Sequence, residues 1–402
     1  MNSVKRTLRT MCIFFFVVFS VVLHATEVRE SEILAAARKW IADNAMFQAE
    51  LPNAVPDKAV QMADFEGKAM PLWRVDLQPT GYLVMSADDT LPPVVAFNTI
   101  GAYDMPAAHP LPAMLNRQGA IFQKELDKPK TRGNEQAEKN RSRWNSLLGR
   151  TRVDSVMPST VVTQPLLATE WHQDSPYNFF CPSGDGYGER AITGCVALTV
   201  SQLLKYHEWP PSGRGVKSFS DKDSDIQATM KADYSFPYDW NLITDEYAGT
   251  DEKNYGMAEF SVARLVMEAC VLVEADFDLD ITTAYSHNIH ELIAKYLGYS
   301  NTAVYSDLRK GYIGYVSEST LYSRIHEDLA AGRPSIVAFD GHVFIADGLG
   351  TMDGHDYYHF NYGWGSWHDG WYLLSNGYDD TVIVCATTNI QPSPVAAFKP
   401  MS

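Results

Sequence analysis

Ala191-Ile192-Thr193-Gly194-Cys195-Val196-Ala197-Leu198 joins two unlike stretches of chain, and its reading decides the fold. Before it runs a loop carrying Gly184, Gly186 and Gly188. After it, Cys195 to His207 is an apolar run that reads as a helix reaching about Glu208. The cysteine therefore falls in the first helical turn. Unpaired N–H groups and the helix dipole favour negative charge there, so a thiol ionises more readily than in mid-helix. A cysteine is by default small apolar filler. A place directly behind a glycine loop argues for chemistry instead, although one residue does not settle the matter.

A cysteine nucleophile needs a base, and the chain has 11 histidines. Most have ordinary explanations: His109 lies in a Pro-rich loop, and His207, His287, His290 and His326 lie on or beside helices. His355 and His359 have the i, i+4 spacing of a metal pair but fall in a turn and a strand, which makes zinc the lesser reading. His342 differs. It stands at a sheet-edge turn between the strand-like runs Ser335–Phe339 and Val343–Ala346, and Asn361-Tyr362-Gly363-Trp364-Gly365 follows a later strand. An amide to orient an imidazole and an indole to cover their contact are the supports a Cys–His pair requires. On composition alone the same segment reads equally well as a Gly/aromatic hairpin in a β-core.

The 402 residues, 46% of them hydrophobic, suffice for two packed domains. A net charge of −16 argues against a nucleic-acid partner. Lys5, Arg6 and Arg9 precede an apolar run from Met11 to Leu23, then His24-Ala25. This reads as a signal peptide over residues 1–25, too short to span a bilayer. The expected protein is secreted, extracellular or periplasmic, with no membrane anchor once the signal, and Cys12 within it, is removed. Cys181, Cys195, Cys270 and Cys385 remain. Four thiols in an exported chain could form two disulfides. Their wide spacing and the size of the chain make such a framework unnecessary, and Cys270 and Cys385 sit in runs that read as core.

Residues 31–44 read as an amphipathic helix with Ser31 as a possible cap, followed by strands at 72–77, 81–86 and 94–98. Lys124 to Arg152 is rich in charge and poor in apolar periodicity, and reads as an exposed helix-and-linker open to nicking. Helices are expected at 257–273, 286–297 and 319–331, the last stopped by Gly332 and Pro334. Strands are expected at 335–339, 343–346, 357–362, 370–374 and 381–385. Helices first and an antiparallel sheet afterwards make an α+β domain. The chain stops soon after the last strand, at Pro400-Met401-Ser402, which leaves no long C-terminal sorting domain in the reading.

Trp171-His172-Gln173, Gly194-Cys195-Val196-Ala197, Gly341-His342-Val343-Phe344 with Asp347-Gly348, and Tyr358 to Gly365 occur in this order. Together they resemble the streptopain family of secreted bacterial cysteine proteases. Tyr238-Asp239-Trp240-Asn241, Gly332-Arg333-Pro334 and Asp369-Gly370-Trp371-Tyr372 are similar to further landmarks of that family, and Gly81 to Asp89 is similar to its propeptide strand. The resemblance implies a papain-like catalytic domain, helical and antiparallel β subdomains together, at 153–402, behind a small α+β propeptide at 26–152. It implies Cys195 as nucleophile, His342 as general base and Gln173 as oxyanion donor. Asn361 would hold the His342 ring, with Trp364 shielding that bond. Partners would be protein or peptide substrates and the chain's own propeptide as inhibitor, with no cofactor or metal. Asp340 precedes Gly341 where relatives have a second glycine, Tyr362 stands where tryptophan is common, and Leu198 replaces a common threonine. Tyr285 either narrows the substrate pocket or packs on the neighbouring helix. A cell-wall peptide amidase of the same architecture and a non-catalytic binding homologue are the alternatives, with a metal hydrolase on His355 and His359 more distant.

Overall fold

The computed structural model describes residues 27–394 apart from 106–108, 129–133, 152–158, 185–187, 222–225, 227, 249–250, 340, 353 and 375–380. The signal peptide with Cys12 and His24, Gly186, Asp340, the 152/153 domain boundary and the C-terminal Pro400–Ser402 lie outside the described residues. Helix α1 (Glu30–Asp43) buries Ile33, Ala36, Ala37, Trp40 and Ile41, the stripe its periodicity predicts. It starts earlier than Ser31, because Glu32 reaches back to accept from the Arg29 N–H at 3.1 Å. A short helix α2 (Ala45–Glu50) follows. Strands β1 (Val55–Ala63), β2 (Ala69–Gln78), β3 (Tyr82–Ser86) and β4 (Val94–Asn98) then form an antiparallel meander.

Two further helices complete the N-terminal part. Helix α3 (Pro110–Leu126) opens on proline at its first turn, where a missing N–H costs nothing, and His109 caps it. Helix α4 (Glu135–Leu147) corrects the reading of 124–152 as exposed. Trp144 is fully buried and its indole N–H donates to the Leu91 carbonyl at 3.1 Å, while buried Asn140 donates to the Thr90 carbonyl at 2.7 Å, so one face of a charged helix is anchored.

In the C-terminal part, β5 (Thr160–Thr163) precedes helix α5 (Cys195–His207). A hairpin of β6 (Val216–Asp221) and β7 (Ala228–Asp233), helices α6 (Met257–Val273) and α7 (Ile289–Leu297), β8 (Val304–Asp307) and α8 (Glu318–Ala330) follow. The chain ends in β9 (Ser335–Phe339), β10 (His342–Met352), β11 (His355–Asn361), β12 (Gly370–Leu373) and β13 (Cys385–Thr388). The α+β class stands. The last strand lies later than the expected 381–385: Val382–Val384 is buried, but the strand that pairs with β8 and β9 begins at Cys385.

One sheet runs through the molecule. Its order among the described residues is β1-β2-β3-β4-β12-β11-β10-β9-β13-β8, with β5 also pairing β10. The N-terminal meander thus continues into the C-terminal sheet through β4 and β12, where Phe97 faces Trp371 and Ala96 faces Tyr372. The cores are shared as well. Trp40, Phe47, Leu83 and Phe97 pack with Tyr357, Trp371 and Leu373, and Leu72, Val84, Leu115 and Phe122 pack with Phe344, Phe360 and Tyr372. A third core, around α5 and α6, belongs to the C-terminal part alone. Strand β10 is internal to the sheet, so His342 opens a central strand rather than an edge.

Candidate active site

Gly194 precedes α5 with φ 76°, a left-handed conformation, and a Cβ there would lie 2.7 Å from the Thr282 carbonyl oxygen. Glycine is required on both counts. The turn it makes delivers Cys195 as the first residue of α5, at the positive end of the helix dipole. Beyond Cys195, the buried face of α5 carries two polar residues that reach other elements. Thr199 Oγ1 donates to the Val343 carbonyl at 3.1 Å, and Gln202 Nε2 donates to Asn361 Oδ1 at 3.1 Å. The first bond fixes the helix against the strand that begins with His342, and the second fixes it against the loop beyond β11.

His342 and Cys195 meet. The imidazole and the thiol lie close enough to shift each other's ionisation, while Nε2 of His342 lies 2.9 Å from the Tyr362 carbonyl oxygen. A carbonyl can only accept, so Nε2 carries hydrogen and Nδ1 is the atom left for the sulfur. Burial alone would raise the Cys195 thiol. The charge and hydrogen bond of His342, with the backbone N–H groups of Val343 and Cys195, outweigh it and hold the thiol below its ordinary range. Burial alone would lower His342, and the charge and hydrogen bond of Cys195 together with the Tyr362 carbonyl raise it instead. Each shift has the other group as a cause, and both favour a thiolate beside an imidazolium.

The pair sits in a cleft of about 970 Å³ that Gln173, Trp364, Tyr285 and Arg309 also line. Gln173 reaches the cleft because its own carbonyl accepts from the Thr193 N–H at 3.1 Å, which ties it to the turn before the nucleophile. Tyr285 is 78% exposed at the rim, so it borders the cleft and is not packed on a helix. Leu198 is buried against Gly363, in line with a core exchange.

The peptidase C10 family model matches residues 171–372, the span from Trp171 through the cysteine and histidine to Tyr372. The chain belongs to the peptidase C10 family. Streptopain of Streptococcus pyogenes is 22% identical over 367 residues, 86% of this chain and 84% of that protein. The thiol protease/hemagglutinin PrtT of Porphyromonas gingivalis is 23% identical over 73% of this chain, which covers 32% of that longer protein. Among solved structures, a prointerpain A fragment of Prevotella intermedia aligns with a TM-score of 0.58 at 22% identity, over 84% of this chain and 99% of that one. The C10 relatives thus extend across the N-terminal part as well as the cysteine–histidine half.

Two expected roles do not fit the geometry. Asn361 does not hold the His342 ring: its Nδ2 donates to the Thr169 carbonyl at 2.9 Å, and its Oδ1 accepts from Gln202 and from the Gly363 N–H. These bonds tie Asn361 to Thr169, to Gln202 of α5 and to the loop, and the main-chain carbonyl of the next residue holds the ring. Trp364 therefore has no Asn–His bond to shield. It lies between the cleft and the buried His109, ring centroids 5.4 Å apart. His355 and His359 lie four residues apart on strand β11, roughly 13 Å at strand rise. His359 is instead paired with Asp347 at 2.7 Å. Cys181, Cys195, Cys270 and Cys385 are all free thiols. Thr199 and Gln202 were missed in the sequence, although polar residues at i+4 and i+7 from Cys195 on an apolar helix are a readable signal.

Proposed function

We propose that this C10 chain is the zymogen of a secreted cysteine endopeptidase. The observation that carries the reading is that Cys195 and His342 line one cleft and shift each other's ionisation in opposite senses. Sγ of Cys195 attacks the scissile carbonyl, and the oxyanion takes hydrogen bonds from the Cys195 N–H and the Gln173 side-chain amide. Donors aimed at charge that appears only in the tetrahedral state are worth about 10²–10³ in rate each. His342 then gives its proton to the leaving amine, the C–N bond breaks, and a thioester remains. Water deprotonated by His342 hydrolyses it and restores the thiol. Asn361 keeps a role here as an anchor for the loop that presents the Tyr362 carbonyl.

Residues 1–25 are then a signal peptide, 26–152 the propeptide and 153–402 the protease domain. Support for an N-terminal inhibitor is that Asn98 and His109 both bind the backbone of the 366–369 loop, at Asp369 and Trp367, next to the site. Mass spectrometry of recombinant residues 26–402 over time tests the reading. Wild type and Cys195→Ala run side by side, with and without a thiol-directed epoxide. Loss of the N-terminal part in wild type alone, with adduct on Cys195, is the expected result. An unmodified Cys195 and an intact wild-type chain would refute it.

A further inference from the structure

The ring of His342 rests on a main-chain carbonyl, and a backbone acceptor is only as well placed as its own residue. Tyr362 lies at the start of a loop in which Gly363, Gly365, Ser366 and His368 all have positive φ, so no regular ladder fixes it. Its N–H instead donates to Asp369 Oδ1 at 2.9 Å. Asp369 immediately precedes β12, whose Gly370 pairs with Phe360 of β11, so the carboxylate stands on the sheet and spans the mouth of the loop.

We infer that Asp369 is a positioning residue for the catalytic pair, setting the Tyr362 carbonyl that holds His342. The inference rests on the cysteine-protease reading above. Around the carboxyl group stand His359 of β11, Asp347 of β10, Glu170 before Trp171, and Tyr82 of β3. Burial pushes Asp369 up to about 7, against the Tyr362 N–H and His359, which favour the ionised form, and with Asp347 and Glu170, which oppose it. Above that pH the group is a carboxylate, the stronger acceptor. Below it the group is a neutral acid that still offers a carbonyl oxygen.

The test is the rate of Cys195 alkylation by iodoacetamide from pH 5 to 9 on the full precursor, alongside Tm, for wild type, Asp369→Ala and Asp369→Asn. Asp369→Ala is expected to slow alkylation at pH 7 about 10-fold or more and to move its acid limb upward, towards an ordinary thiol. Asp369→Asn keeps an oxygen for the Tyr362 N–H, so most of the rate should return while the inflection near pH 7 disappears. A wild-type pH profile in Asp369→Ala, even with a lowered Tm, overturns the inference. Should Asp369→Ala not fold, an unchanged inflection in Asp369→Asn overturns it just as well. Wild-type Cys195 reacting no faster at pH 7 than in the denatured chain would refute the Cys–His reading itself, and the inference with it.

Discussion

Two seams cross this molecule, and they are built differently. Between α5 and the strand and loop of His342, the bonds are buried and span distant parts of the chain: Thr199 to Val343, Gln202 to Asn361, Asn361 to Thr169. None of these groups titrates near neutral pH. Between β4 and β12, the joining residues are Phe97 with Trp371 and Ala96 with Tyr372, reinforced by Asn98 and by His109. There, the two nitrogens of His109 are committed, one accepting from the Leu111 N–H and the other donating to the Trp367 carbonyl. His368 beside it is buried, with no hydrogen-bond partner on either nitrogen. Helix α5 is aligned with its partners by neutral, enclosed bonds, with Asp369 behind Tyr362 as a titratable support of the His342 ring. The junction between the N-terminal and C-terminal parts is lined with imidazoles, which can be charged.

The largest effects should come from breaking the first seam at its reacting end. Cys195→Ala and His342→Ala are each expected to lower hydrolysis about 10⁴-fold or more. The surviving thiol of His342→Ala should alkylate more slowly at neutral pH. A hydrolytic rate within 10-fold of wild type in either variant would contradict the assignment. Next, Gln202→Leu leaves Asn361 and Thr169 short of a buried partner and should cost about 1–3 kcal/mol in urea unfolding. Thr199→Val, which removes one hydroxyl of similar shape, should cost about 1 kcal/mol. Equal stability of Gln202→Leu and wild type would show that the first seam does not depend on these bonds.

Acid should act on the second seam. Burial holds His109 at about 3, against an ordinary 6.5, with the Trp367 carbonyl opposing and the charges of His368 and His342 adding to it. The docked state therefore takes up this proton only near pH 3, and the released state takes it up near 6.5. Docking is fully stabilised above 6.5 and loses about 1.4 kcal/mol per pH unit as pH falls from there towards 3. His368 is also lowered by burial, which gives it the same sign. A precursor nicked in the 124–152 region should keep its N-terminal fragment through gel filtration at pH 7.5 and shed it at pH 5. The same retention at both pH values would remove the imidazoles from the account. The smallest effect is expected from Asn98→Ala, which loses one bond to the Asp369 carbonyl and should weaken docking by about 1 kcal/mol. Fragment release at pH 7.5 reads this out.

The sequence made the first seam visible as residues but not as contacts. Cys195 is legible because it falls in the first turn of an apolar helix behind a glycine loop, and His342 because it lies between two strand-like runs. The partner of its ring was not legible, since a main-chain carbonyl carries no residue code. Asn361 was the natural choice among side chains, and its neighbour's backbone does the work. The second seam was hidden for other reasons. Pro110 and Pro112 made the start of α3 look like loop, although proline suits a first turn, and that concealed His109 as a cap. The charged surface of α4 concealed its buried Trp144. That the two halves share one sheet depends on β4 finding β12, a pairing between segments far apart in the chain that local patterns do not encode.

The shared sheet and shared cores set a rule for what a cut between the halves can accomplish. A cut in the 124–152 region removes no strand pairing among the described residues and, placed outside α4, leaves the core contacts of Trp144 and Leu147 in place. It replaces a tethered neighbour, present at millimolar effective concentration, with a free fragment at whatever concentration the surroundings allow. Inhibition would then follow a mass-action law: a crowded preparation stays silent after nicking, and the same material diluted into a large volume becomes active without any further chemistry.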